Sequence, residues 1–545
     1  MKTIDVIAEV MKREGIENLV VYPVTPLTES TAALGIRTIV CRQERVGVGI
    51  ADGFSRVSNG KRIGAFAMQS GPGAENAFSG IASAFSDSSP MLIVAMGYPR
   101  GNAHWPRFFN STQAYDHATK WVEPINSPEM VVDAMRRAFS RLKLGRPGPV
   151  MIELPEDVAH LEAVESVNYE PVKITRSMAN ARDVDDVARV LLDARAPVIH
   201  AGQGVLYAEA TEELKELAEL LQIPVMTSLL GKSAFPEDHQ LALGTATGAG
   251  GGAVGHFLQK TDLVVGVGCS FTRHNISNVV IPDGKPIVQI TNDESDINKN
   301  YPVAYPIIGD AKLVLRQLLD AVRDRGAKTT HSNGAVVDEV KGAKASALEE
   351  RIPRLTSQEV PINPWRIVWE LNQTLDRESA ILTNDSGIPR TQLVSTYEAA
   401  GPRSFIGWGK AHALGTGLGL IMGAKLAEPD KTCVHFMGDA AIGMVGMDFE
   451  TAARCEIPII SVISNNSEMV SEIPRMLVSR ELYRSTDISG NYADMATALG
   501  GYGQRIENPE EIRPAILRAV EATQEGRPAL LEFITAGYDP ARPRY

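Results

Sequence analysis

The sequence predicts an α/β protein made of three doubly wound parallel-sheet domains. Three observations predict it. Strand-like apolar runs alternate with helix-like segments along the whole chain, the pattern of parallel sheets covered by helices. The 545 residues are too many for one hydrophobic core. The apolar runs fall into three groups set apart by polar stretches.

In the first group, 18–22, 38–41, 64–69 and 91–96 read as buried strands, and 148–154 as a closing strand. These belong to a first domain over 1–170. Residues 1–15 carry charges between apolar residues at helical spacing, an amphipathic helix rather than a signal peptide. A central Rossmann-like domain, 184–326, has strands at 197–201, 224–227, 263–267 and 286–290. Residues 326–358 turn polar and read as a linker. A third domain, 360–545, has strands at 380–384, 432–437, 459–465 and 529–535.

Composition narrows the function classes. The net charge of −12 is spread along the chain, which argues against nucleic acid or an anionic membrane as the main partner. No apolar run is long enough to span a bilayer. Cys41, Cys269, Cys433 and Cys455 are far apart and form no CxxC pair, so neither a disulfide framework nor a zinc site is indicated. This cysteine usage suits a reducing cytoplasm.

The most informative stretch is Gly438-Asp439-Ala440, at the end of an apolar strand, followed by a helix and a second strand ending in Asn465-Asn466. Open α/β sheets bind ligands at such strand ends. Magnesium prefers six oxygen ligands and often keeps substrate phosphates among them. Asp439 offers a carboxylate, Asn466 an amide oxygen and Glu468 a backbone carbonyl. A helix from about Met444 to Arg454 would turn its N-terminal amides toward a diphosphate. An N-capping aspartate is the plainer alternative.

A second constellation lies upstream: Arg42-Gln43-Glu44-Arg45, Ala51-Asp52-Gly53-Phe54-Ser55-Arg56, Ser70-Gly71-Pro72-Gly73-Ala74-Glu75-Asn76, and Asp87-Ser88-Ser89-Pro90. Together with the Asp439–Asn466 stretch, this order resembles the thiamine-diphosphate-dependent superfamily of acetohydroxyacid synthase, pyruvate oxidase and benzoylformate decarboxylase. Ala440 stands where the signature has a third glycine. The resemblance covers almost the whole chain, including Gly231-Lys232-Ser233-Ala234-Phe235-Pro236-Glu237-Asp238-His239 in the central domain.

It implies a pyrimidine-binding first domain and a diphosphate-binding third domain. Thiamine diphosphate and Mg2+ are the implied cofactors, with FAD or ADP an open question for the central domain. Glu44 would contact the cofactor's pyrimidine ring, with Gly71, Pro72 and Asn76 nearby. Thiamine works only once its thiazolium C2 loses a proton. A carboxylic acid at the pyrimidine N1′ lets the cofactor's own 4′-imino nitrogen remove it, and an apolar pocket would raise the pKa of that acid. Leu414 would wedge the bent cofactor. Ser386 and Gly387, with Gly438, Asp439, Ala440 and Ala441, would meet the diphosphate. Thr25, Gln113 and His412 are the further candidates for handling substrate; a helix-capping role suits Thr25 equally. His104, His117 and His274 are weaker candidates of the same kind.

Selection among reactions is less legible. Arg273-His274 stand where close relatives of acetohydroxyacid synthase place an Asp-Arg pair, and residues 467–480 lack a tryptophan. Pro23-Val24-Thr25 and Gly446-Met447-Asp448-Phe449-Glu450-Thr451 look more like oxalyl-CoA decarboxylase and 2-hydroxyacyl-CoA lyase, although only Ala536–Tyr545 follow the last strand. The expectation is an acetolactate-synthase-like carboligase or decarboxylase on a 2-oxo acid. The alternatives are a 2-hydroxyacyl-CoA lyase or oxalyl-CoA-type decarboxylase, and a non-catalytic cofactor-binding homologue. In this superfamily the site lies between subunits, so a homodimer or homotetramer is implied.

Overall fold

The computed structural model describes residues 1–545 except 23–24, 103–104, 106–107, 247–251, 274–280, 327–333, 408, 411–412 and 538–545, and leaves out the side chain of Thr25. Three sheets, in which every strand pairing is parallel, account for the three groups of apolar runs. The first contains β1 (Asn18–Val21), β2 (Arg37–Val40), β3 (Gly64–Met68), β4 (Met91–Gly97), β5 (Trp121–Pro124) and β6 (Pro149–Pro155), in the order β2-β1-β3-β4-β6-β5. The second contains β7 (Pro197–Ala201), β8 (Val225–Thr227), β9 (Ala242–Thr245), β10 (Leu263–Val267), β11 (Ile287–Thr291) and β12 (Tyr305–Ile308), ordered β12-β11-β10-β7-β8-β9. The third contains β13 (Ala380–Asn384), β14 (Thr432–Gly438), β15 (Ile460–Asn465), β16 (Tyr502–Ile506) and β17 (Ala529–Ile534), ordered β13-β14-β15-β17-β16.

The inner strands are apolar on both faces because helices cover both faces; β3, β4, β7 and β10 are buried at every position. The strands that periodicity did not predict, β5, β9, β12 and β16, all lie at sheet edges. Each has half-buried or exposed positions, so none reads as an apolar run.

Two further expectations need correction. The 326–358 stretch contains a helix, Ala335–Glu349, laid on the Gly252–Lys260 helix through Val336, Val340 and Ala343. Its single apolar stripe is too narrow to stand out in a charged segment. The helix after Gly438 begins at Asp439 rather than near Met444. It runs Asp439–Val445, passes through a 3-10 turn at Gly446–Asp448 and resumes as Phe449–Arg454.

The first and third units share one apolar core. Its axis is the contact between helices Glu44–Val57 and Thr416–Ala427, where the backbones touch. A Cβ on Gly53 would come within 2.0 Å of the Leu420 carbonyl, and one on Gly423 within 2.1 Å of the Ile50 carbonyl. All three units meet around Arg56. Its guanidinium donates to both Asp52 oxygens (2.7 and 2.8 Å), to Asp87 (3.1 Å) and to the Gly407 carbonyl (3.0 Å). Asp87 in turn accepts from the amides of Gly409 and Lys410, and Gln203 Nε2 donates to its carbonyl. This buried ion network fixes the first unit's helices against the third, and Glu44 begins one of those helices.

Candidate active site

The first cluster gathers at the carboxyl ends of β2, β1 and β3. Glu44 opens the helix after β2, Thr25 opens the helix after β1, and Gly71 caps the helix Pro72–Ser86 after β3. Glu44 is only 3% exposed. Burial pushes its carboxyl above the ordinary range, against its own backbone amide and the Asn76 side chain, which both favour the anion. Gly73 packs tightly beside Gln69 and this carboxyl: a Cβ there would clash with Gln69 Cγ at 2.7 Å and would just touch Glu44 Oε1 at 3.6 Å. Gly71 has φ +64, and a Cβ there would fall 2.2 Å from the Tyr98 hydroxyl, so only glycine fits the turn.

Tyr115, which sequence reasoning missed, lies close to this acid. It is fully buried, donates to the Ala74 carbonyl (2.6 Å), and its own acidity is suppressed by burial and by the nearby Glu44 charge. Tyr115 closes the short helix Ser111–Tyr115, which carries Gln113 with its side chain exposed. Asn76 and Pro72 are exposed as well, so the buried acid sits beneath an open polar rim.

The second cluster forms at the carboxyl ends of β13, β14 and β15, which are neighbours in the third sheet. The β14/β15 register sets Gly438 beside Ser464 and so brings Asp439 next to the twin asparagines. One Asp439 oxygen accepts from the Ala440 amide (2.8 Å), the other from the Ser467 amide (2.7 Å). Burial pushes this carboxyl up, while the amides of Ala440, Ser467, Asn466 and Glu468 oppose the shift. The two asparagines differ in role. Asn465 is buried, donates to Glu532 (2.7 Å) and accepts from Ser467, building the turn. Asn466 is half-buried, and its Oδ1 accepts from the Glu468 amide (3.1 Å). The Glu468 side chain pairs with Arg480 (2.6 Å). Ala440 is half-buried and Ala441 lies in the core.

The donor set here is one carboxylate, one amide oxygen and the carbonyl of Glu468. Among the described residues no group of three or more His, Cys, Asp or Glu could hold a metal. Three hard protein oxygens with the rest left to phosphate and water is the arrangement magnesium–diphosphate sites use, so the residues fit that group.

Ser386 and Gly387 follow β13, and Leu414 is half-buried against the core shared with the first unit. Within one chain the two clusters' elements meet. Asp448, at the end of the turn after the Asp439 helix, accepts from the Arg42 amide (2.7 Å) and from Thr451 (3.0 Å). Gln43 Nε2 donates to the Met444 carbonyl, and Arg42 pairs with Glu450. Glu44 is therefore flanked by residues clamped to the third unit. His412, His104 and His274 lie outside the described residues, as do Pro23-Val24 and the side chain of Thr25.

A separate cleft of about 340 Å³ opens at the carboxyl ends of β7, β10, β11 and β12. The open question of FAD or ADP gains no support there from Gly202 and Gly204. A Cβ on Gly202 would meet the Gly268 carbonyl at 2.2 Å and one on Gly204 its Cα at 2.6 Å, so loop-to-loop packing accounts for both glycines. Asp293, just beyond β11, is engaged by Ser295 and Arg146.

Comparison with known proteins agrees with this layout. Residues 1–122 match the family described as thiamine pyrophosphate enzyme, N-terminal TPP binding domain; 184–318 match its central domain; 385–533 match its C-terminal TPP binding domain. A probable acetolactate synthase large subunit of Methanocaldococcus jannaschii is 30% identical over 99% of this chain and 92% of its own length. The corresponding protein of Methanococcus aeolicus is 29% identical over 98% and 92%. A glyoxylate carboligase of Escherichia coli O157:H7 is 27% identical over 98% and 93%.

Proposed function

We propose, from the premise that this chain belongs to the thiamine pyrophosphate enzymes on their acetolactate-synthase-like branch, that it is a magnesium-dependent carboligase or decarboxylase of 2-oxo acids. That it is a thiamine-diphosphate enzyme of the carboligase/decarboxylase kind follows from the family; the metal and the substrate class are our reading. The observation that carries it is Glu44, a buried carboxyl at a strand end that burial raises above the ordinary carboxylate range.

Thiamine diphosphate, when bound, would supply a carbon acid and an electron sink for making or breaking a bond next to a carbonyl. Glu44 would share its proton with a pyrimidine nitrogen, and burial, which raises its carboxyl above the ordinary range, favours that sharing. Asn76 orients the carboxyl. Asp439, Asn466 and the Glu468 carbonyl would hold magnesium, and the amides after Gly438 and at Ser386–Gly387 would receive the diphosphate. Leu414, half-buried against the shared core, would shape the cofactor's seat. Thr25, Gln113 and His412 are assigned to the substrate.

Association follows from the open rim. Phe78 and Phe85 on the Pro72–Ser86 helix are 38% and 40% exposed, and the Leu477–Tyr483 helix leaves Leu477, Val478, Leu482 and Tyr483 between 63% and 77% exposed. Such patches support burial against a second copy. The active species is a cytoplasmic homodimer or homotetramer with its sites at the subunit interface; fully active monomers in sedimentation would reject this.

The test of function is a substrate panel with thiamine diphosphate and magnesium. Turnover of pyruvate, glyoxylate or another 2-oxo acid is expected. Turnover confined to acyl-CoA substrates would replace this reading by the lyase alternative, and no turnover with bound cofactor would favour a non-catalytic homologue.

A further inference from the structure

Asp385 is fully buried at the end of β13, and nothing so far has used it. Its carboxylate gathers three backbone amides. Oδ1 accepts from Ser386 (2.7 Å) and Gly415 (2.9 Å), and Oδ2 accepts from Gly417 (3.0 Å). Gly415 and Gly417 straddle the start of the Thr416–Ala427 helix, immediately after Leu414. One side chain therefore ties the Ser386–Gly387 loop to the Leu414 loop.

Behind it, the fully buried His435 of β14 places Nε2 3.4 Å from Asp385 Oδ2. This approach exists only because residue 417 has no side chain: a Cβ there would lie 2.3 Å from His435 Nε2. In front, Arg45 brings positive charge toward Asp385, and its Nη2 lies 3.2 Å from where a Cβ on Gly415 would be. Arg45 is the residue after Glu44. Gly415 itself, at φ +87 with Val445 2.5 Å from that same Cβ position, tolerates no other residue.

A helix N-cap alone would need one acceptor and would come from a neighbouring residue. Here the acceptor comes from a strand end 30 residues away, is a charge, and holds a second loop as well.

We propose that Asp385 is a positioning residue, which fixes Leu414 and the Ser386–Gly387 amides in one geometry before thiamine diphosphate arrives. The inference rests on the cofactor reading above, but it is separable from it. In an asparagine, one amide oxygen could still serve Ser386 and Gly415, but the NH2 would face the Gly417 N–H, donor against donor.

The experiment uses the full chain with thiamine diphosphate and magnesium. Asp385→Asn is expected to lower kcat at saturating cofactor about 100-fold, the scale of a small misplacement near the reacting atoms. Substrate KM should move less than about threefold if only transition-state geometry is lost, and the near-ultraviolet circular dichroism of the bound cofactor should change. If the asparagine variant does not fold, hydrogen exchange on the unaltered protein decides: the Gly415 and Gly417 amides should already be protected without cofactor. Fast exchange there that slows only on cofactor binding overturns the proposal. So does an asparagine variant with unchanged kcat and dichroism, or one whose loss is fully recovered by lowering the temperature, which would mark a plain structural cap. In either case a Glu44→Gln protein that binds cofactor but does not turn over would leave the cofactor reading standing. An unaltered protein that binds no thiamine diphosphate would remove both.

Discussion

The two halves of the candidate site solve opposite problems with the same residue type. In the first unit, Glu44 is buried with Asn76 as its side-chain hydrogen-bond partner, and burial dominates its titration. In the third unit, Asp439 is also buried, but the amides of Ala440, Asn466, Ser467 and Glu468 converge on it. Burial raises both carboxyls above their ordinary range, opposed at Glu44 by its own amide and Asn76 and at Asp439 by four backbone amides. A carboxylate ringed by amides can remain an anion beside a cation. The difference lies in donor count: more backbone amides favour the anion at Asp439 than at Glu44, although burial raises both.

The largest expected effect breaks the metal half. Asp439→Ala should abolish magnesium-dependent binding of thiamine diphosphate and cut turnover by at least about 1,000-fold, on the scale of losing an essential electrostatic contact. Calorimetry with and without chelator checks it; unchanged cofactor affinity would remove Asp439 from the metal shell.

The next effect probes the seam between the halves. Burial pushes Asp448 up to about 6 from its ordinary 3.8. The folded chain then holds this proton more tightly than the unfolded chain. Stability is therefore full below about pH 4 for this group and is lost as pH rises through about 6. The loss should amount to about 3 kcal/mol. Denaturant midpoints of Asp448→Asn between pH 4 and 7 should lack this fall; parallel profiles would contradict it.

The smallest effect sharpens the acid half. Gly71→Ala meets both the positive φ and the Tyr98 hydroxyl. It should cost about 1–2 kcal/mol of stability and loosen the loop beside Glu44, while leaving magnesium-dependent cofactor binding nearly intact. A thermal melt and a binding isotherm on one sample separate the two.

Much of this was legible in the sequence because the inner strands are continuous apolar runs and because the motifs end them. Asp439 and Asn466 could be paired before any coordinates, since two parallel neighbours with turns at their carboxyl ends must present those turns together. Edge strands such as β5 and β12 were not legible, since half-exposed residues carry no run to detect. The glycines at 443 and 446 hid the early helix start at Asp439. The amides that Asp385 gathers, the Arg42 partner of Asp448 and the place of Tyr115 beside Glu44 were not legible: Asp448 meets Arg42 across 406 residues, and such a partner is visible only once the chain has folded. The roles of Thr25, Gln113 and His412 stay proposals of the sequence, with only Gln113's exposed position added.

The central claim is that Glu44 activates the cofactor. Hydrogen–deuterium exchange at C2 of bound thiamine diphosphate, quenched in acid and read by nuclear magnetic resonance, tests it without any substrate. The account predicts that Glu44→Gln binds the cofactor yet exchanges C2 on the order of 1,000-fold more slowly than the unaltered protein. Equal exchange rates in the two proteins would contradict it.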